Sequence, residues 1–145
     1  MAFEEVEFIG PAPIDAVPNG GIRVKPRTFK SKHGVKHWIE ITIGEHLSRK
    51  ICLSKPKHGM RVLFGTGEDA GKIAVAVDDE KGRFSAKKAK SSGRYVLSIG
   101  AASAEGLFAL EFPVFAVLDP LVFCKDGSPP SFTFAASAEM LAIED

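Results

Sequence analysis

The sequence predicts a mainly β fold: a small β-barrel-like domain with short helices, organised as two tandem lobes. Three observations carry that expectation. Apolar and polar residues alternate with a period of two in the clearest segments, Gly, Pro, Asn and Asp punctuate the chain between them, and helical spacing is confined to short stretches after Ile-Gly pairs. At 145 residues, 45% of them hydrophobic, the chain is about one domain long and can bury a sizeable core. Its longest apolar stretch, Phe112 to Leu118, includes a proline and falls far short of the roughly 20 residues that span a bilayer.

Residues 1–21 hold Pro11, Pro13, Pro18 and Asn19-Gly20-Gly21 and read as an extended N-terminal arm. The β-rich domain runs over residues 22–136. In Ile22 to Phe29, Pro26 demotes the segment to an irregular or edge strand. The turn Ser31-Lys32-His33-Gly34 leads into the clearest strand, Val35 to Ile43. There Val35, His37, Ile39, Ile41 and Ile43 share one face, and Lys36, Trp38, Glu40 and Thr42 the other. Gly44 ends it, and Glu45 to Ile51 permits about two turns of helix, with Leu47 and Ile51 four apart on one side. Ser54 to Gly59 reads as a turn, Met60 to Phe64 as a strand, Gly65 to Gly71 as a hairpin loop, and Lys72 to Val77 as an alternating strand. A short strand surrounds Phe84, and Lys87 to Gly93 reads as a flexible basic loop.

The same order of elements recurs downstream. Leu97-Ser98-Ile99-Gly100 matches Ile41-Thr42-Ile43-Gly44, apolar Val114 to Phe123 follows, Lys125-Asp126-Gly127 makes a turn, and Phe132 and Phe134 alternate in Ser131 to Ala135. A tandem duplication is therefore expected, with lobes over residues 22–86 and 94–136 and an acidic C-terminal tail over 137–145.

The run Ile41-Thr42-Ile43-Gly44-Glu45-His46-Leu47, then Pro56, Gly59-Met60-Arg61-Val62 and Gly71-Lys72-Ile73-Ala74-Val75, resembles the AbrB/MazE family of swapped-hairpin DNA-binding domains. The resemblance covers residues 35–78, and 94–136 if the second lobe is a copy. Gly44 stands where the family usually has proline, and His58-Gly59-Met60 replaces its usual Gly-Asp turn. What it implies is a swapped-hairpin domain whose basic N-terminal strands and loops meet DNA. A duplicated chain would supply both halves of the family's dimer.

Charge points to the same class of partner. A net charge of +1 hides a basic middle: from Gly20 to Ile99, 18 Lys and Arg stand against 7 Asp and Glu, an excess of +11. Glu4, Glu5, Glu7 and Asp15 precede it, Lys125 alone offsets the acids that follow, and all four histidines lie within it. Such an excess attracts a polyanion, and the expected partner is nucleic acid, DNA ahead of RNA. Arg23, Lys25, Arg27, Lys30, Lys32 and Lys36 flank a glycine turn, so a hairpin would project several cations toward phosphates. Trp38 shares a face with Lys36 and either stacks on an exposed base or packs against another layer. Lys87, Lys88, Lys90 and Arg94 form a second cluster, placed to clamp a backbone from a loop. Arg49, Lys50, Lys55 and Lys57 are secondary candidates. The acidic ends are either solvated tails or internal competitors for the basic face.

Catalytic and cofactor chemistry find little support. Gly65-Thr66-Gly67-Glu68-Asp69-Ala70-Gly71-Lys72 has phosphate-loop composition. Its glycine spacing is one residue too long, however, Ile73 replaces the magnesium-binding hydroxyl, and a strand follows instead of a helix. His33 and His37, with His46, Cys52 and His58 nearby, lack the paired spacing of a zinc site; His33 and His58 read as solvated turn residues, and His37 as packed at a sheet edge. No Gly-x-Ser-x-Gly elbow occurs, and Cys52 reads as core. The chain is therefore expected to be no enzyme and to use no cofactor or metal. Acidic residues at the N-terminus argue against a secretory signal, and two cysteines against a disulfide scaffold, so a cytoplasmic location away from the membrane is expected. The rival class is a protein-interaction or structural module of phage, mobile-element or antitoxin-like type. It rests on the C-terminal half, where Phe108, Phe112, Phe115, Phe123, Phe132 and Phe134 would build a core or a surface for homo-oligomers.

Overall fold

Strands β1 (Ile22–Ser31) and β2 (Gly34–Ile43) form the first hairpin, in continuous register from Ile22↔Ile43 to Ser31↔Gly34. Gly34 closes the turn at φ +126°, a region an L side chain rarely adopts. Ser31 Oγ accepts from the His33 N–H (3.2 Å) and donates to the Gly34 carbonyl (3.3 Å). Pro26 does not disrupt β1. The neighbouring β7 (Phe115–Val117) pairs only with Ile22 to Val24, so from Lys25 onward β1 is an edge among the described residues, where a missing N–H costs no ladder bond on that side. The computed structural model describes residues 17–65, 67–90, 92–100, 108–109, 111–125 and 128–141.

A turn at residues 18–21 folds over the start of α1 (Glu45–Lys50). The Asn19 carbonyl accepts from the His46 and Leu47 N–H groups (2.9 and 3.2 Å), and the Gly44 N–H donates to the Gly21 carbonyl (2.8 Å). These bonds satisfy helix N–H groups that have no partner within the helix. A Cβ on Gly44 would sit 2.1 Å from the Pro18 carbonyl oxygen, so glycine is required by close approach and not by φ. Leu47 and Ile51 are buried against the sheet, as their spacing predicts.

The remaining strands are β3 (Lys57–Phe64), β4 (Lys72–Val77), β5 (Phe84–Lys88), β6 (Tyr95–Gly100), β8 (Leu121–Phe123) and β9 (Ser131–Ala135). A short 3-10 turn at Gly67–Asp69 joins β3 to β4, and α2 (Ala138–Leu141) ends the described chain. All pairs are antiparallel in one nine-stranded sheet of order β7-β1-β2-β6-β5-β3-β4-β9-β8, curled into a half-barrel. Strands from residues 22–86 and 94–136 share this sheet: β6 lies between β2 and β5, and β9 pairs with β4. The terminal strands β7 and β8 are each three residues long.

Alternation sorts the side chains. Ile22, Val24, Ile39, Ile41, Ile43, Tyr95, Leu97, Ile99, Met60, Ile73, Val75, Phe132 and Phe134 are buried on the inner face with Leu47, Ile51, Phe108 and Phe112. Met140 of α2 joins them, and its carbonyl accepts from the Ala109 N–H (2.7 Å), so the stretch read as a tail from residue 137 begins with a packed helical turn. Val35 is the exception on β2: it shares parity with Ile39 but lies at the hairpin end, 52% exposed. Lys87 and Lys88 are strand residues rather than loop residues, which shortens the basic loop; the Ala89 N–H bonds to the Arg94 carbonyl (2.9 Å). Among the described residues no helix is long and apolar enough to cross a membrane.

The close packing at Gly44 sets an expectation for stability. Gly44→Ala should lower the unfolding free energy by about 1–3 kcal/mol, the usual cost of overpacking. Urea denaturation measures this, and an unchanged midpoint would contradict the junction described.

Candidate nucleic-acid interface

Glu40 is the one carboxylate in the nine strands, which also carry Arg23, Lys25, Arg27, Lys30, Lys36, Lys57, Arg61, Lys72, Lys87 and Lys88. Antiparallel register puts directly opposed residues on the same face. Thr42 is therefore beside Arg23, Glu40 beside Lys25, Trp38 beside Arg27, and Lys36 beside Phe29, all on the outer face. Arg23 is engaged within that row: its Nη2 donates to Thr42 Oγ1 (3.3 Å) and lies 3.5 Å from Glu40 Oε1. The carboxylate's charge is thus already balanced.

Toward the turn, Arg27 and Lys36 alternate with Phe29 and Trp38 in a checkerboard of cations and rings. Phe29 is 57% exposed, residues 27–36 are all exposed, and Trp38 is half-buried. On the other side Trp38 faces Gly100 of β6, which has no side chain to cover the indole edge. Beyond Gly100 the outer face continues into a shallow groove of about 400 Å³ lined by Lys57, Arg83, Phe84, Ser85, Lys87, Val96, Ser98 and Gly100. Lys57 opposes Lys87, which opposes Val96, so these two ammonium groups are neighbours across β3 and β5. Such like charges repel unless an anion lies between them. Lys25, Arg27, Lys36, Lys57, Arg83 and Lys87 make no ion pair among the described residues.

Of the candidates read from the sequence, Arg23, Lys25, Arg27, Lys36, Trp38 and Lys87 share this face. Lys30 has the opposite parity, and Lys32 sits in the hairpin turn. Lys88 lies in register with Tyr95 and lines a separate small cavity with Glu45, Arg49 and Gly93, while Lys90 and Arg94 lie in the β5–β6 connection. Phe29 and Arg83 were not foreseen, and Lys57 only as a secondary candidate. Parity held the signal for Phe29: it is an odd number of residues from Ile22 and Val24 and so cannot share their face.

His58 is not a solvated turn residue. It lies in β3, 3% exposed, with both ring nitrogens occupied. Nδ1–H donates to Asp79 (3.1 Å), and Nε2 accepts from the Ser54 and Lys55 N–H groups (3.0 and 3.1 Å), which assigns the tautomer. Asp79 also accepts from the Gly59 N–H (2.9 Å) and lies 3.0 Å from Lys55 Nζ, and the Tyr95 hydroxyl donates to the Lys55 carbonyl (2.6 Å). The cluster pins the 54–56 turn onto the sheet and leaves the imidazole no free nitrogen. His37 Nδ1 lies 3.1 Å from Thr28 Oγ1, away from His58. No three His, Cys, Asp or Glu side chains converge as metal ligands among the described residues. Cys52 is exposed at φ +63°, not core: it follows α1 where the chain reverses, so Ile51 and Leu53 are buried instead.

The Lys55 ammonium, then the Gly59 N–H, hold the Asp79 carboxyl below its ordinary value of 3.8. A depressed folded-state pKa gives stability that is present above the ordinary value and lost as pH falls through the folded one. Wild type should therefore exceed Asp79→Asn in thermal stability at neutral pH, with the gap closing under acid. A gap unchanged at about pH 2 would contradict this linkage.

Compared with family models, curated proteins and solved structures, the chain matches none, and its functional reading stands on the geometry of this face.

Proposed function

We propose that the chain is a nucleic-acid-binding protein, DNA being the first ligand to test, which contacts the phosphate backbone through the β1–β2 hairpin and the outer-face groove. The observation that carries this reading is the sorting of strand charges: Lys25, Arg27, Lys36, Lys57 and Lys87 lie on one face without ion-pair partners among the described residues, and Glu40, the one carboxylate in the strands, is held by Arg23. A face of that kind releases counterions from a polyanion, and this dominates sequence-independent affinity. The AbrB/MazE resemblance, with its basic N-terminal strands, points the same way. Lys90 and Arg94 extend the cationic area from the neighbouring connection, and a cytoplasmic, non-enzymatic role fits the reading.

Affinity for random-sequence DNA should fall steeply with salt. Replacing Arg27, Lys36 or Lys87 by Gln should each lower the slope of log K against log salt by about 1. An absence of binding at low salt would sink the proposal.

One observation favours the interaction-module alternative. At the far end of the same face, Leu63, Leu121 and Phe123 are 48%, 74% and 52% exposed, and a groove of about 440 Å³ runs between Leu63, Ala74, Leu121 and Thr133. If this patch pairs two copies of the chain, Leu121→Asp should convert a dimer to a monomer in sedimentation equilibrium. A wild-type monomer at high concentration would exclude that role.

A further inference from the structure

The checkerboard at the hairpin carries more than a class of partner. Resting on the nucleic-acid reading above, we infer that the ligand is a single strand, whose unpaired bases lie on Phe29 and Trp38 while its phosphates follow Arg27 and Lys36 into the groove of Lys57, Arg83 and Lys87.

A duplex shows a protein its phosphates and the edges of its bases, whereas the ring faces are closed by stacking. Phe29 has no hydrogen-bonding group with which to read an edge, yet it is 57% exposed and set among cations. Its ring stands free where a strand needs no such residue for packing. An exposed aromatic beside a cation suits a base with an open π-face, with phosphate held alongside.

Phe29 opposes Lys36 and Trp38 opposes Arg27, so the two residues are diagonal neighbours whose backbone positions lie about 7–8 Å apart. Stacked bases in a duplex strand are separated by about 3.4 Å, roughly half that distance. Two successive bases can reach both rings only if they are drawn apart, which a flexible single strand allows and a paired one resists.

From Trp38 on β2 the surface passes over Gly100 on β6, then runs four residues along β6 to the row of Val96, Lys87 and Lys57, three strand spacings across and about 13 Å along the strands, or about 20 Å in all. Ser85 and Ser98 line the groove there beside the cations, adding hydroxyls to the phosphate-binding chemistry, and among the described residues no carboxylate lines it. A two-stranded ribbon could enter a duplex major groove. The outer face of this ribbon, though, continues across β6 and β5 into the groove, a surface suited to a strand lying across.

The chain has one Trp, so intrinsic fluorescence reports on the site itself. The full chain is titrated at one low salt concentration with oligo-dT, oligo-U and a mixed-sequence duplex of equal length. The expected result is at least tenfold tighter binding of oligo-dT, oligo-U or both than of duplex, with Trp38 emission changing on binding. Phe29→Ala and Phe29→Leu should each weaken the single-strand complex by roughly tenfold, the usual effect of losing one stacked base, and leave the duplex complex unchanged. Phe29 is exposed, so both variants should keep the wild-type melting temperature, and Phe29→Leu keeps an apolar side chain without the ring. Duplex binding as tight as single-strand binding, or a Phe29 effect equal for both, would overturn the single-strand inference and leave the nucleic-acid reading standing. No binding to any of the three would overturn both.

Discussion

The register of β2 between β1 and β6 is the constraint on which the rest of the molecule depends. Ile39, Ile41 and Ile43 meet Pro26, Val24 and Ile22 on one side and Ile99, Leu97 and Tyr95 on the other, while Trp38, Glu40 and Thr42 project from the opposite face. A slip of one residue in either pairing would exchange the two faces, drawing Arg23 and Lys25 into the core and exposing isoleucines. Burying unpaired charges costs far more than any local adjustment of the strand could recover. Folding of the core and presentation of the basic face are therefore one event. Each apolar residue that specifies the register also fixes where its charged neighbours point.

Two small structures keep that register in place. The 18–21 turn bonds to Gly44 and to the first N–H groups of α1, tying the end of β2 to the start of β1. At the other side of the sheet, His58 and Asp79 join the turn before β3 to the β4–β5 connection, and the Tyr95 hydroxyl links the same turn to β6. The imidazole is spent on structure, which accounts for a buried histidine without invoking catalysis. Strands from both halves of the sequence meet in one sheet, so the basic face and the apolar end near Leu121 are parts of a single surface.

Much of this was legible in the chain because period-two alternation is a local signal. Val35 to Ile43, Lys72 to Val77 and Ser131 to Ala135 announce their faces without reference to anything distant, and so does the helix between Gly44 and Ile51. Pairing order was not legible, since nothing local says that β6 inserts between β2 and β5. The groove of Lys57 and Lys87 depends on that insertion and was correspondingly hidden. The burial of His58 rests on a carboxylate 21 residues away, and the exposure of Cys52 on a left-handed backbone after the helix, neither marked by composition. Phe29 shows the opposite case: its odd spacing from Ile22 and Val24 sets it on the other face, a signal readable in the chain alone.

Which part of the outer face meets a ligand decides between the two surfaces. Amide chemical-shift mapping of the labelled chain with a short oligonucleotide at low salt tests this most directly. Shifts are expected over residues 27–38 and at Lys57, Ser85, Lys87 and Ser98, with Leu63, Leu121 and Thr133 unmoved. Shifts confined to the Leu63 and Leu121 end, or spread evenly over every exposed lysine, would contradict that expectation.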